Sequence, residues 1–224
     1  MYNRHIIVDF EMNPVDGKRE DAHLLPKNEI IQIGAIKLNE EYNVVDRFNA
    51  YVCPQLNSKV TRHITKITGI TTEMVVNAGT LEDVLKAFSE WMGEERLRIY
   101  AWSENDLQQL KEECAFKGIQ IPDNMRQWLD FQAVYGVLTR LSRKGRKISL
   151  TAAAERFCID VDRQSLHNAL YDAELTTKLL VPFLNGEYIA LMELYRVNTK
   201  PEPMTQTIGD RWGDMLRQFA AQTC

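Results

Sequence analysis

Two carboxylates, Asp9 and Glu11, stand one residue apart in the run His5-Ile6-Ile7-Val8-Asp9-Phe10-Glu11. The rest of the run is mostly apolar and β-branched, the composition of a buried strand. Side chains alternate between faces along a strand, so Asp9 and Glu11 share one face while Ile6, Val8 and Phe10 turn to a core. Neighbouring acids repel each other and resist desolvation. A divalent cation relieves both problems, because hard cations take oxygen ligands. A solvated strand end is the plain alternative for so short a motif.

Three residues further along could complete such a site. Asp106 follows the apolar run Arg98-Ile99-Tyr100-Ala101-Trp102 and falls in the first turn of the next helix. An acid there also favours the helix dipole, so capping explains it when taken alone. Glu104 and Asn105 compete with it for any role. His167 and Asp172 belong to His167-Asn168-Ala169-Leu170-Tyr171-Asp172-Ala173. Ala169 and Ala173, one turn apart, let this helix approach a sheet closely. Asp172 then lies near the same face, and His167 stands at the helix entrance. A capping or surface histidine is the alternative for His167.

The elements that must position these residues follow from periodicity. After the first strand, residues 13–27 read as a loop with Pro14, Gly17 and Pro26. Residues 29–38 and 44–52 read as a strand hairpin around a turn at 39–43. A helix over 81–92 sets Leu81, Val84, Leu85, Phe88 and Trp91 on one face, with Thr80 as N-cap and Asp83 as its capping-box partner. A short strand at 98–102 leads to a helix over 105–117 closed by Gly118. Residues 128–130 read as a last strand, and helices follow near 131–140, 149–157 and 168–184. Strands first, then strand–helix alternation, predict an α/β domain with a mixed sheet. Thr199-Lys200-Pro201-Glu202-Pro203 reads as a linker. Residues 209–222 form a candidate amphipathic helix with Trp212, Met215, Leu216 and Phe219 on one stripe. Docking on its own domain is the plain reading of that stripe, and a protein partner the alternative.

Composition narrows the class. With 224 residues and 45% hydrophobic content, the chain can bury a sizeable core without disulfides or a structural metal. A net charge of -4 and a pI of about 5.7 exclude a broad basic surface for coating nucleic acid. They leave room for a local cleft. The basic residues Arg140, Arg143, Lys144, Arg146 and Lys147 form the one concentrated run, suited to phosphates or to a solvated loop. The four cysteines are far apart and form no C-x-x-C pair, which argues against zinc and for reduced thiols. The sequence shows no signal-peptide pattern and no apolar run of membrane-spanning length. A cytoplasmic protein with no membrane contact is expected.

Taken in order, the acids and the histidine read Asp-x-Glu, Asp, His-x4-Asp. This order resembles the DEDDh 3′→5′ exonucleases, the histidine branch of the DnaQ-like, RNase H-fold nucleases, across residues 4 to 184. Glu29-Ile30-Ile31-Gln32-Ile33-Gly34-Ala35 resembles that family's second strand. Thr65-Lys66-Ile67-Thr68-Gly69-Ile70-Thr71 is similar to its segment beside the substrate cleft. Ser149 to Phe157 is similar to the helix before its histidine motif. The tyrosine branch would carry Tyr where this chain has Asn168. Within the family the chain is most similar to Eri-like exoribonucleases and KapD-type proteins.

The resemblance implies an RNase H-like mixed five-stranded sheet flanked by helices over residues 1–186, followed by a C-terminal helical extension at 187–224. It implies two divalent metal ions, Mg2+ or Mn2+, held by Asp9, Glu11, Asp106 and Asp172, with His167 as general base. The expected substrate is the 3′ end of a single-stranded nucleic acid, RNA favoured over DNA, released as nucleoside 5′-monophosphates. Met12, Gly69, Ile70 and Trp102 are the candidate substrate contacts; Phe10 is assigned to the core. A DNA-directed exonuclease and a regulatory protein that keeps the nuclease fold are the alternatives.

Overall fold

The computed structural model describes residues 2–15, 25–139 and 147–189. Five strands form one mixed sheet in the order β3-β2-β1-β4-β5. β1 (Arg4–Pro14), β2 (Asn28–Leu38) and β3 (Val44–Tyr51) are antiparallel neighbours, while β4 (Leu97–Ala101) and β5 (Trp128–Asp130) run parallel to β1. This is the expected hairpin and the expected five-stranded mixed sheet.

The two faces of β1 meet different layers. Ile6, Val8 and Phe10 pack with Leu81, Leu85 and Phe88 of α3 (Leu81–Met92) and Leu110 of α4 (Asn105–Lys117). Ile7 joins the opposite cluster, with Phe131 and Tyr135 of α5 (Phe131–Leu138), Ala153 of α6 (Leu150–Arg156) and Leu175 and Leu179 of α7 (Ala169–Leu184). Alternation therefore leaves Asp9 and Glu11 on the face that α7 covers. Phe10 is 5% exposed, as its core assignment requires.

The caps follow local chemistry. Thr80 and Asp83 form the capping box of α3, and Gly118 closes α4 at φ 67. Two helices were not legible from periodicity: α1 (Arg62–Thr68) and α2 (Thr72–Val75). Both are too short to show a 3.6-residue repeat. The hydroxyl of Thr61 caps α1, and Gly69 ends it at φ 74.

β1 also runs further than expected, to Pro14, because a bulge between Glu11 and Met12 restores pairing with β2. Asn13, read as loop, is buried: its Nδ2 donates to Lys59 O at 3.1 Å and its Oδ1 accepts from Thr61 N–H at 2.9 Å. Residues 16–24, the basic residues Arg140, Arg143, Lys144 and Arg146, and the C-terminal stretch from 190 onward lie outside the described residues.

Candidate active site

The acids gather on β1 just past the end of its pairing with β4. Ligand-capable atoms of Glu11, His167 and Asp172 all lie within 4.8 Å of one another. Asp9 lies on the same face of β1, where burial and then the charges of Asp106, Asp172 and Glu11 push its carboxyl up. Asp106 enters from the first turn of α4, where its Oδ1 accepts the backbone N–H of Phe10 at 3.0 Å. That bond ties α4 to β1 between its two acids. It also separates Asp106 from its neighbours, since Glu104 and Asn105 are both exposed.

Asp172 and His167 arrive from the other side. Asn168 caps α7, accepting from Tyr171 N–H at 3.3 Å. His167 precedes it in the left-handed region, at φ 61, and donates its backbone N–H to Asp172 Oδ2 at 3.1 Å. Its ring stands exposed beside two buried carboxylates. The expected small residues are in place: Ala169 and Ala173 are fully buried against the sheet. The sequence reading missed their counterpart, Gly34, which pairs with Asp9 across β1–β2. A Cβ on Gly34 would lie 2.1 Å from Leu170 N and 2.2 Å from Ala169 C, so only glycine admits the helix. A glycine inside an apolar strand was the available signal.

Burial and mutual repulsion leave these carboxyls reluctant to ionise. Burial first, then the charges of Asp172 and Asp106, push Glu11 up to about 8. Asp106 rises to about 7 chiefly through burial, partly offset by its hydrogen bond from Phe10 N–H. Burial also raises Asp172 to about 6, and desolvation with three acidic neighbours raises Asp9 well above the carboxylate range. Asp172 Oδ1 is buried and has no hydrogen-bond partner among the described residues. An orphaned carboxylate oxygen inside a cluster of like charges is an arrangement that fits divalent cations.

The expected substrate contacts divide. Gly69 is exposed and Met12 is half-buried against the core. Ile70 and Trp102 are both buried. Ile70 is 1% exposed in a cluster with Ile31, Val60 and Val75. Trp102 is 7% exposed and packs edge-on to Phe131 at 5.7 Å. Both are large and apolar, so the same property that suits a base suits a core. Of the basic run, Lys147 is described, and its Nζ pairs with Glu104 Oε1 at 2.8 Å.

A mixed 3-2-1-4-5 sheet with two acids on its central strand, met by an acid from each of two helices, defines an RNase H-like nuclease fold. The exonuclease family model, of RNase T type, matches residues 6–180, and the chain belongs to that family, which works with divalent cations. It is 31% identical over 180 residues to the probable 3′-5′ exonuclease KapD of Bacillus subtilis, covering 79% of this chain and 82% of that one. It is 28% identical over 193 residues to 3′-5′ exoribonuclease 1 of Rattus norvegicus, covering 82% of this chain but 53% of that protein. The fold matches the nuclease domain of 3′hExo, a DEDDh family member bound to rAMP, with a TM-score of 0.70 at 24% identity over 83% of this chain and 93% of that one. Among the described residues no helix is long and apolar enough to cross a membrane.

Proposed function

We propose that this exonuclease removes nucleotides from the 3′ end of single-stranded RNA, releasing nucleoside 5′-monophosphates. The observation that carries the reading is the meeting of Glu11, His167 and Asp172 within 4.8 Å at the strand that holds Asp9. Asp9, Glu11, Asp106 and Asp172 would hold two divalent cations, Mg2+ or Mn2+. Such ions, when bound, supply charge stabilisation to the phosphate in flight and lower the pKa of water. The chain's own contribution is positional. By placing the cations, the four carboxylates would set where the terminal phosphodiester lies, and the exposed ring of His167 would take the proton of the attacking water. The water oxygen forms the new bond to phosphorus, and the bond from phosphorus to the departing 3′-oxygen breaks.

RNA over DNA rests on the likeness to named exoribonucleases. A regulatory protein that keeps the fold is disfavoured by the carboxylates, since burying like charges costs stability that a binding module has no reason to bear.

A 5′-labelled RNA and a DNA of the same sequence, each with Mg2+, Mn2+ or EDTA, test the proposal. A metal-dependent ladder shortening from the 3′ end is expected, faster on RNA. Folded, metal-loaded protein that leaves every single strand intact, or an Asp9→Ala variant with near-normal turnover, would defeat it.

A further inference from the structure

We propose that Gln32 is a positioning residue for the catalytic cluster, seating the first turn of α7 so that His167 and Asp172 meet Glu11. The inference rests on the nuclease reading of that cluster, but metal affinity tests it without turnover.

Gln32 is fully buried and lies directly across from Glu11 in the β1–β2 register. A buried amide must satisfy both ends or lose the free energy of its hydration. Gln32 does so in two directions. Its Oε1 accepts the N–H of Ala169 at 3.2 Å, and its Nε2 donates to Asn49 Oδ1 at 2.8 Å. The sense of the amide follows from chemistry, because a helix N–H can only donate and so requires the oxygen.

Ala169 N–H is one of the first-turn donors that a helix cannot satisfy internally. Asn168 does not cover it, since its side chain is engaged with Tyr171 N–H. The sheet therefore supplies a second cap. Gly34, two residues along the same face of β2, sets how near α7 can come. Apolar packing alone would fix that distance but would let the helix slide or turn. A directed hydrogen bond at Ala169 removes this freedom two residues after His167 and three before Asp172. Gln32 itself touches no reacting atom.

Gln32→Met keeps length and packing but removes the acceptor. Gln32→Glu keeps an acceptor for Ala169 N–H, and the Asn49 amide can turn to donate to it. Mn2+ affinity by calorimetry and kcat and KM on a short RNA are read for both. Gln32→Met is expected to weaken Mn2+ binding about tenfold, as removal of a residue that orients metal ligands does. Its kcat should fall about 10²-fold with KM within about threefold, the signature of misplaced reacting groups. Gln32→Glu should hold kcat within about threefold and bind Mn2+ at least as well as wild type. Asn49 is exposed on β3, so Asn49→Ala frees the amide without disturbing the core; about threefold weaker Mn2+ binding is expected. A folded Gln32→Met with wild-type Mn2+ affinity overturns the proposal, as does Gln32→Glu being equally damaged. If Gln32→Met does not fold, unchanged Mn2+ affinity in Asn49→Ala overturns it. Inactive wild type that still binds Mn2+ would defeat the exonuclease reading while leaving this one to be decided by affinity.

Discussion

The backbone N–H of His167 donates to Asp172 Oδ2 across five residues, at 3.1 Å. The bond closes the His-x4-Asp motif into a ring that carries both functional side chains. It is reached because His167 adopts φ 61, which turns its N–H back toward the helix it precedes. A side chain in that region costs about 1–2 kcal/mol, so the site stores local strain to aim an exposed imidazole.

His167→Gly and His167→Ala separate the two roles of this residue. Both should lower kcat by about 10²- to 10⁴-fold, the usual worth of a general base. Glycine tolerates the left-handed region, so His167→Gly should be more stable than His167→Ala by about 1 kcal/mol in urea unfolding. Equal stability of the two would mean that φ 61 is not strained. Near-normal Mn2+ affinity in both would mark His167 as base rather than ligand.

The raised carboxyls predict an unusual stability profile. Folded Glu11 titrates at about 8, Asp106 at about 7 and Asp172 at about 6, all above their unfolded values. Between about pH 4 and 8 the folded metal-free protein binds more protons than the unfolded chain, so its stability falls as pH rises. Melting in EDTA should drop across that window. Mn2+ should raise the melting temperature, and by more at pH 8 than at pH 5, because the ligands must be deprotonated. Glu11→Gln in EDTA should melt about 2–4 °C above wild type at pH 8 if it relieves about 1 kcal/mol of repulsion. A flat melting profile in EDTA would show that the acids are solvated rather than crowded.

Much of this arrangement was legible in residues 5–11 and 167–173, because strand alternation and helix periodicity are local properties. Asp9 and Glu11 share a face for the same reason that Ile6, Val8 and Phe10 share the other. Residue types alone left Glu104 and Asn105 competing with Asp106; in the fold, its bond to Phe10 N–H, a contact across 96 residues, sets it apart. Ile70 and Trp102 are buried, and composition does not distinguish apolar residues beside a cleft from those beneath it. The partnership of Gln32 with Ala169 spans 137 residues and leaves no periodic trace. Polar satisfaction in a core depends on which strands become neighbours, and sequence spacing does not encode that directly.

A second buried network holds the start of β2. Glu29 and Glu113 have fully buried side chains, and Lys117 Nζ lies 3.0 Å from one and 2.7 Å from the other. Glu29 also accepts backbone N–H groups from Gln55, Leu56 and Asn57. Lys117→Met strips the cation from two buried acids and should cost about 3–5 kcal/mol at pH 7.5. Burial already raises Glu113, against the pull of Lys117. Without the lysine its carboxyl should take up a proton more readily, so the penalty should shrink at pH 5. Urea unfolding at the two pH values reads this, and a penalty independent of pH would assign the loss to packing instead.

Gly34→Ala tests the close approach of α7 to β2. The added methyl would meet backbone atoms of Leu170 and Ala169, none of which can rotate away. α7 must lift or β2 must bend, at a cost of about 3 kcal/mol. For a chain of this size that lowers the melting temperature by about 6–12 °C. The shift also carries Asp172 and His167 away from Glu11, so Mn2+ affinity and kcat should fall together while bulk secondary structure by circular dichroism is kept. A second change, Ala169→Gly, removes a side chain but not the obstructing backbone, so it should rescue neither stability nor turnover. Recovery in that double variant would place the clash on the Ala169 methyl and weaken the claim that helix backbone seats directly on the strand.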